Sequence, residues 1–398
     1  MKSLAIVRRV VIGAVLVVMP VAFARVAAGY AVPLPSPSQQ KTIAAALQPF
    51  VDNHTVAGAV TLVADKEKVL SLEAVGYADI GGMQLLKTNA LFWIASQSKP
   101  ITAAALMMLV DEGKVRLDDP VEKYLPELGG LWIAAEKDKS HMLLKKPAHA
   151  ITVREILSHT SGMPFQSPME QPTLDALTLR VGILSYAVTP LAFEPGTKYS
   201  YSNAGINTAG RIIEVVSGMP YEDFLDKRLL VPLGMKDTSF WPNEEQVTRL
   251  AKAYRPNKDK TGLEPTTIGQ LKYPLSDRGR QPMPAGGLFS TATDVARFCQ
   301  MMLNGGELEG KRYLSEAAVK EMTKKQTPEG VKDNYGLGWS VGPGTFGHGG
   351  AYATNMTVNT KRELVAVFMV QHAGFPGEGA KSLGAFFKTA EELYGRAK

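Results

Sequence analysis

The sequence predicts an α/β (α+β) fold: an antiparallel β-sheet built from both chain ends, flanked by helices, with an α-rich domain inserted between the two sets of strands. Three observations carry this. Strand-like runs lie early, in "GAVTLVADKEKVLSLEAVGYAD", and again in the final quarter, in "YGLGWSV", "NMTVNT" and "ELVAVFMVQ". Between them, from about residue 151 to 230, the pattern is mostly helical with Pro and Gly breaks. There is no internal repeat, and 398 residues at 45% hydrophobic and 21% charged provide for one large core or two domains.

The chain opens on what reads as a signal peptide, residues 1–31. Lys2, Arg8 and Arg9 precede an uncharged apolar run over 10–24, and small-residue sites follow at Ala22-Phe23-Ala24 and Gly29-Tyr30-Ala31. The run is shorter than the roughly 20 residues of a membrane-spanning helix, and Pro20 interrupts it. The expectation is a periplasmic or secreted protein with no stable membrane span after signal removal. An uncleaved signal acting as an anchor is the alternative. Lys2, Arg8, Arg9 and Arg25 supply four of the formal +6, which leaves +2 on the rest. A nearly balanced chain lacks the clustered basic face of a nucleic-acid binder. Cys299 is the only cysteine, so no internal disulfide forms, and its place in "ATDVARFCQMML" reads as a buried, inert thiol.

Residues 32–398 read as one domain, with a sheet subdomain at about 38–112 and 285–398 and a helical subdomain at about 113–284. After the Pro/Ser linker "VPLPSPS", "QQKTIAAALQPFVDNH" carries apolar residues at helical spacing. The next run is a hairpin around Asp65-Lys66-Glu67-Lys68. "SQSKPITAAALMMLVDEGK" is a core-like helix that stops near Gly113, and "RLDDPVEKYLPEL" is an irregular connection. "NAGINTAGRIIEVVSG", "YEDFLDKRLLVPLG" and "TATDVARFCQMMLNGG" are helices, and a last one runs through "AKSLGAFFKTAEELYGR".

Ser96 and Lys99 stand at the mouth of the core-like helix. One turn apart, they share a face, and the serine oxygen lies near the positive end of the helix dipole. A lysine can take the serine proton only when neutral, a state an unperturbed amine reaches about once in 2,500 at pH 7. Partial burial can lower its pKa by roughly 3 units. On this reading the lysine sits at an apolar helix so that it can act as a base, whereas a serine cap and a solvated lysine is the plain structural alternative. Pro100 disfavours helical geometry at Lys99, a conflict confined to the first turn.

Tyr201 and Asn203, in "EPGTKYSYSNAGINTAG", lie on a loop before a helix, where a phenol can share a proton with a nucleophile and an amide can bind a substrate carbonyl. The alternative is Asn203 as helix N-cap with Tyr201 packing locally. Phe346-Gly347-His348-Gly349-Gly350-Ala351 lies between two strands, as a close-approach segment or as a Gly-rich corner. Its main-chain N–H, with that of Ser96, would make an oxyanion hole.

Other matches fail on context. Gly338-Trp339-Ser340-Val341-Gly342 fits G-x-S-x-G, but Gly342-Pro343-Gly344 follows and no helix can start. The G-x-G-x-x-G match at 342–347 opens no helix either, and Arg312 stands where a phosphate loop needs Ser or Thr. Lys260-Thr261-Gly262 sits in a polar turn with no expected strand to hold it. His159, in "ILSHTSGMP", reads as a structural loop histidine. The six histidines include no H-E-x-x-H pattern, so neither a metal nor another cofactor is expected.

Several segments together resemble the serine β-lactamase and penicillin-binding-protein superfamily, in its class C β-lactamase-like and esterase-like branch. They are "FWIASQSKPITAAALMMLVDEGKVRLDDPVEKYLPEL", "ITVREILSHTSGMP", "FEPGTKYSYSNAGINTAGRIIEVVSGMPYEDFLDKRLLVPLGMKDTSF" and "PAGGLFSTATDVARFCQMMLNGG", in that order, and the likeness covers about residues 38–392. It implies a sheet subdomain and a helical subdomain with the site between them. Ser96 is then the acylated nucleophile, Lys99 its proton partner, and Tyr201 a proton shuttle for acylation and deacylation. Asn203 would orient substrate, His348-Gly349-Gly350 would stand where the family has Lys-Thr-Gly on an inner strand, and the N–H groups of Ser96 and Ala351 would form the oxyanion hole. Histidine in place of lysine, and Gly349 without a hydroxyl, fit esterase-like or D-amino-acid peptidase-like members better than efficient β-lactamases.

The resulting expectation is a serine hydrolase of ester or amide bonds, with a small ester, a β-lactam or a D-amino-acyl peptide as substrate. Two alternatives stand beside it: a non-catalytic or slowly deacylating penicillin-binding-type protein, and an α/β-hydrolase using Ser340.

Overall fold

The computed structural model describes residues 41–395, so the expected signal at 1–31 lies outside the described residues. Helix α1 (Ile43–Asp52) leads into the strand pair β1 (Gly58–Ala64) and β2 (Val69–Asp79), then β3 (Gln84–Leu85) and β4 (Phe92–Trp93). A 3₁₀ turn at Ala95–Gln97 runs straight into α2 (Ser98–Asp111). The middle of the chain holds β5 (Ile133–Lys137), β6 (Met142–Lys145), α3 (Val153–Leu157), α4 (Leu179–Ala187), α5 (Asn203–Ser217) and α6 (Tyr221–Leu225). After a π-helical turn at Asp226–Leu230 come α7 (Glu244–Thr248), β7 (Ala253–Pro256), β8 (Leu263–Thr266), β9 (Phe289–Ser290) and α8 (Ala292–Leu303). The chain then forms β10 (Glu307–Leu308), β11 (Lys311–Arg312), α9 (Glu316–Thr323), β12 (Ser340–Gly342), β13 (Thr345–Gly349), β14 (Asn355–Asn359), β15 (Leu364–Met369) and α10 (Lys381–Tyr394).

The main sheet has seven strands in the order β12-β13-β14-β15-β1-β2-β3, all antiparallel. The sheet made from both chain ends is therefore present. Strand β1 is buried along its whole length because both faces of the sheet are covered. Ala59 and Val63 pack with Ile43, Leu47 and Val51 of α1 and Phe386 of α10. Val60, Leu62 and Ala64 belong to the larger core, with Val295, Phe298 and Cys299 of α8. Burial also pushes the Cys299 thiol pKa well up, in keeping with an inert thiol. Residues at i, i+4 and i+8 make the α1 stripe, and Thr42 caps that helix by accepting from Ala45 N–H at 3.0 Å.

Two sequence expectations need correction. The run from 253 to 266 is a hairpin, so Lys260-Thr261-Gly262 is held between β7 and β8, contrary to the reading of an unsupported turn. Strands of four residues carry too little alternation to register as strands. The placing of residues 346–351 between strands also changes: His348-Gly349 lies in strand β13, an inner strand as the resemblance implied, and Gly350 begins the turn. No helix among the described residues is long and apolar enough to cross a membrane.

Helix α2 is enclosed on all sides: twelve of its fourteen residues are buried, from Ser98 to Leu109. Pro100 stands in its first turn, where a proline does not break the helix that follows. Gly338 lies against this helix with φ +77°, and a Cβ there would sit 2.7 Å from Ala103 Cβ and 3.0 Å from Lys99 O. Close packing on α2 thus explains the first glycine of the G-x-S-x-G match.

The segment from 270 to 286 is pinned by a buried ion pair. Arg280 Nε donates to Asp175 Oδ2 at 2.7 Å, and its Nη1 donates to Leu275 O and Phe240 O at 2.6 and 2.8 Å. Removing one partner leaves the other charge buried and unmatched. Asp175→Ala is expected to cost about 3–5 kcal/mol in urea unfolding, with part recovered in Asp175→Ala/Arg280→Met. An unchanged midpoint in the single variant would show that the pair contributes nothing.

Candidate active site

The site lies where β4, α2, α5 and β13 meet. β4 pairs with β9, and Ile94 N–H donates to Leu288 O at 3.0 Å, which binds the approach to Ser96 to the segment after Ala285. Ala95 then takes a left-handed conformation, φ +46°, strained for a residue with a Cβ. That sharp change of direction presents Ser96 on the 3₁₀ turn just before α2. Ser98 Oγ accepts from Leu288 N–H at 3.2 Å and donates to Ala95 O at 2.7 Å, so the turn is fixed from within.

Lys99 is completely buried. Its Nζ lies 3.1 Å from Ser96 Oγ, 2.8 Å from Asn203 Oδ1 and 2.7 Å from Ala285 O. Burial holds its pKa well below the ordinary lysine value. A neutral amine has two hydrogens and one lone pair. Asn203 Oδ1 and Ala285 O can only accept, so they take the hydrogens and the lone pair is left facing the Ser96 hydroxyl.

Helix α5 supplies Asn203 through a cap that is not Asn203 itself. Ser202 is the N-cap: its Oγ accepts from Gly205 N–H at 2.9 Å and donates to Pro164 O at 2.6 Å. Asn203 is the first helical residue, and its amide oxygen faces Lys99. Tyr201 immediately precedes the cap. Its ring lies under Lys99 Nζ, 4.5 Å from the centroid, and it lines the same cleft as Ser96. Burial drives the phenol's pKa well up, so it stays protonated at neutral pH.

His348 points inward from β13. Nδ1–H donates to Gly349 O at 2.7 Å and Nε2 accepts from Tyr335 O–H at 2.9 Å, an assignment that follows from the carbonyl being only an acceptor. Burial, then Lys99, pushes its pKa down to about 3, so the ring is neutral at pH 7. Gly350 packs on the nucleophile turn: a Cβ would sit 2.2 Å from Thr354 Oγ1 and 2.6 Å from Ile94 O.

These groups border one cleft of about 320 Å³. Ser96, Tyr201, Asn203, His348, Gly349, Gly350 and Ala351 all line it, with Lys99 buried behind Ser96. Its walls are completed by Trp93, Phe165, Leu174, Tyr199, Gln270, Met283 and Tyr335, and no Asp, Glu, Lys or Arg is among the lining residues. Ser340 reaches the rim, yet both His348 nitrogens are engaged elsewhere and the chain after it turns into β13 without a helix. The Ser340 alternative therefore lacks both its base and its elbow. Sequence reasoning missed Ala285 and Tyr335. A main-chain carbonyl carries no residue-type signal, and Tyr335 acts through a partner 13 positions away.

The family model described as Beta-lactamase matches residues 43–386. Protein Rv1367c of Mycobacterium tuberculosis is 31% identical over 371 residues, which cover 82% of this chain and 89% of that protein. The lovastatin esterase of Penicillium rubens is 28% identical over 290 residues, 69% of this chain and 70% of its own. Among solved structures, that of EstCE1, a hydrolase with promiscuous acyltransferase activity, superposes with a TM-score of 0.74 at 23% identity, over 87% of this chain and 97% of its own. The fold is thus that of the β-lactamase and transpeptidase enzymes, and the chain belongs to the beta-lactamase family of serine hydrolases.

Proposed function

We propose that this protein is an esterase-like serine hydrolase that acylates Ser96 with uncharged ester substrates. The observation that carries the reading is the Lys99 amine, buried and oriented by two acceptors so that its lone pair faces Ser96 Oγ. Ser96 Oγ bonds to the acyl carbon while its proton passes to Lys99 Nζ. The tetrahedral oxyanion lies against the N–H groups of Ser96 and Ala351. As the bond to the leaving oxygen breaks, Tyr201 gives that oxygen its proton and recovers one from Lys99. Water then attacks the acyl group by the reverse relay, and Ser96 regains its proton.

The substrate class follows from the walls. A carboxylate beside the scissile carbonyl would lose water in a cleft whose lining has no charged side chain and whose histidine is neutral. An apolar acyl group instead meets Phe165, Leu174 and Met283. The likeness to a lovastatin esterase agrees with an ester substrate.

Intact-mass analysis over time with p-nitrophenyl butyrate, nitrocefin and a D-Ala-D-Ala peptide tests this. The ester is expected to give a transient acyl adduct and turnover, with the two carboxylate-bearing compounds slower by about 10²-fold or more. Faster acylation by nitrocefin or the peptide would overturn the substrate class. Neither adduct nor turnover with any of them would overturn the hydrolase reading itself.

A further inference from the structure

His159 has no place in the reaction above, yet it is completely buried against the catalytic tyrosine. It follows α3 in a left-handed conformation, φ +60°, which a non-glycine residue adopts only at some cost. Its neighbours show what that conformation achieves. The main-chain carbonyl of His159 accepts from Ser200 N–H at 2.9 Å, and its ring Nδ1 accepts from Ser202 N–H at 3.2 Å. The two amides on either side of Tyr201 thus end on one residue. The ring also backs the Tyr201 ring, with centroids 4.5 Å apart, and touches Tyr335 at 4.7 Å. Tyr335 in turn holds His348.

Since Nδ1 accepts, the ring hydrogen lies on Nε2, and that buried atom has no hydrogen-bond partner among the described residues. Leaving a buried N–H unpaired costs roughly 1–3 kcal/mol. A leucine or phenylalanine would avoid that cost but could not accept from Ser202. Burial, then Lys99 and His348, keeps the imidazole pKa well below its usual value, so Nδ1 remains an acceptor at neutral pH.

We propose that His159 is the positioning residue of Tyr201: its Nδ1 and its carbonyl grip the flanking amides, and its face backs the phenol ring, which together fix the hydroxyl at Ser96. The inference rests on the proton-relay reading of Tyr201. It assigns His159 no contact with substrate.

The test compares His159→Leu, His159→Asn, His159→Gln and Tyr201→Phe in ester hydrolysis, with thermal melting of each. Asparagine tolerates a left-handed backbone and places Oδ1 near the position of Nδ1, whereas glutamine reaches toward Nε2. His159→Leu is expected to lower kcat by about 10²-fold with KM little changed, approaching Tyr201→Phe. His159→Asn is expected to recover about tenfold of that loss, and His159→Leu/Tyr201→Phe to lose little beyond Tyr201→Phe alone. A folded His159→Leu with wild-type kcat, or full additivity in the double variant, would overturn the proposal. If the leucine variant does not fold, asparagine against glutamine decides: equal kcat in those two overturns the proposal, and a higher value for asparagine supports it. Wild-type activity in Tyr201→Phe would instead overturn the relay reading on which the proposal rests.

Discussion

Ser96→Ala is expected to abolish ester turnover and labelling by a fluorophosphonate, with kcat lower by about 10⁴-fold or more. The expectation follows from geometry. Ser96 Oγ is the hydroxyl 3.1 Å from a buried amine at the floor of the cleft, whereas the other cleft serine, Ser340, has no base beside it. The substitution removes one oxygen and leaves the turn intact, since Ser98, not Ser96, makes the side-chain bonds that hold Ala95 and Leu288. Melting temperature should therefore stay close to that of the unaltered protein. Retained labelling in Ser96→Ala would place the nucleophile elsewhere, and its loss in Ser340→Ala would name the replacement.

Lys99→Met should come close to the same loss, about 10²–10⁴-fold in kcat/KM, because it deletes the base and keeps the bulk. Its pH behaviour is the sharper readout. Activity of the unaltered protein should rise as pH passes upward through the lowered pKa of Lys99, and the residual activity of Lys99→Met should lack that rise. Stability carries the same signature. The folded-state value lies below the unfolded value of about 10.4, so between the two the unfolded chain binds one more proton. Unfolding free energy therefore climbs with pH across that window, and the penalty is complete below the folded value. Lys99→Met should lose this slope in urea unfolding followed over pH. The melting temperature at a single pH is a poorer measure, since methionine removes the burial penalty but leaves Asn203 Oδ1 and Ala285 O without their donor. An unchanged slope would mean that Lys99 titrates normally and is not the base.

Much of this was legible in the chain because the signals were local. The stripe of Ile43, Leu47 and Val51, the hairpin around Asp65, and the buried helix that follows Ser96 are written in periodicity over a few residues. The pairing of Ser96 with Lys99 is local as well, the two being three positions apart. Tyr201, Asn203 and the His348 segment stood out as candidates, but only resemblance chose their chemical reading over a plain cap or corner, since that chemistry exists only after the chain returns to the same place. Short hairpins failed to register, as at 133–145 and 253–266, because four or five residues show no clear alternation and their pairing is set by the surroundings. His159 was read as a loop residue. Nothing in "ILSHTSGMP" announces that its ring accepts from an amide 43 positions later.

By itself the sequence determined the longer helices and strands, that both chain ends share one sheet, and that a lysine would sit one turn from a serine at an apolar helix. Only the tertiary structure decided what that lysine is. Its lowered pKa comes from neighbours on every side, its two hydrogens are spoken for by residues 104 and 186 positions away, and the cleft it serves has no charged wall. The physical reason is range: propensity and periodicity act between adjacent turns of chain, whereas desolvation and hydrogen-bond direction depend on whatever distant segments are packed around an atom.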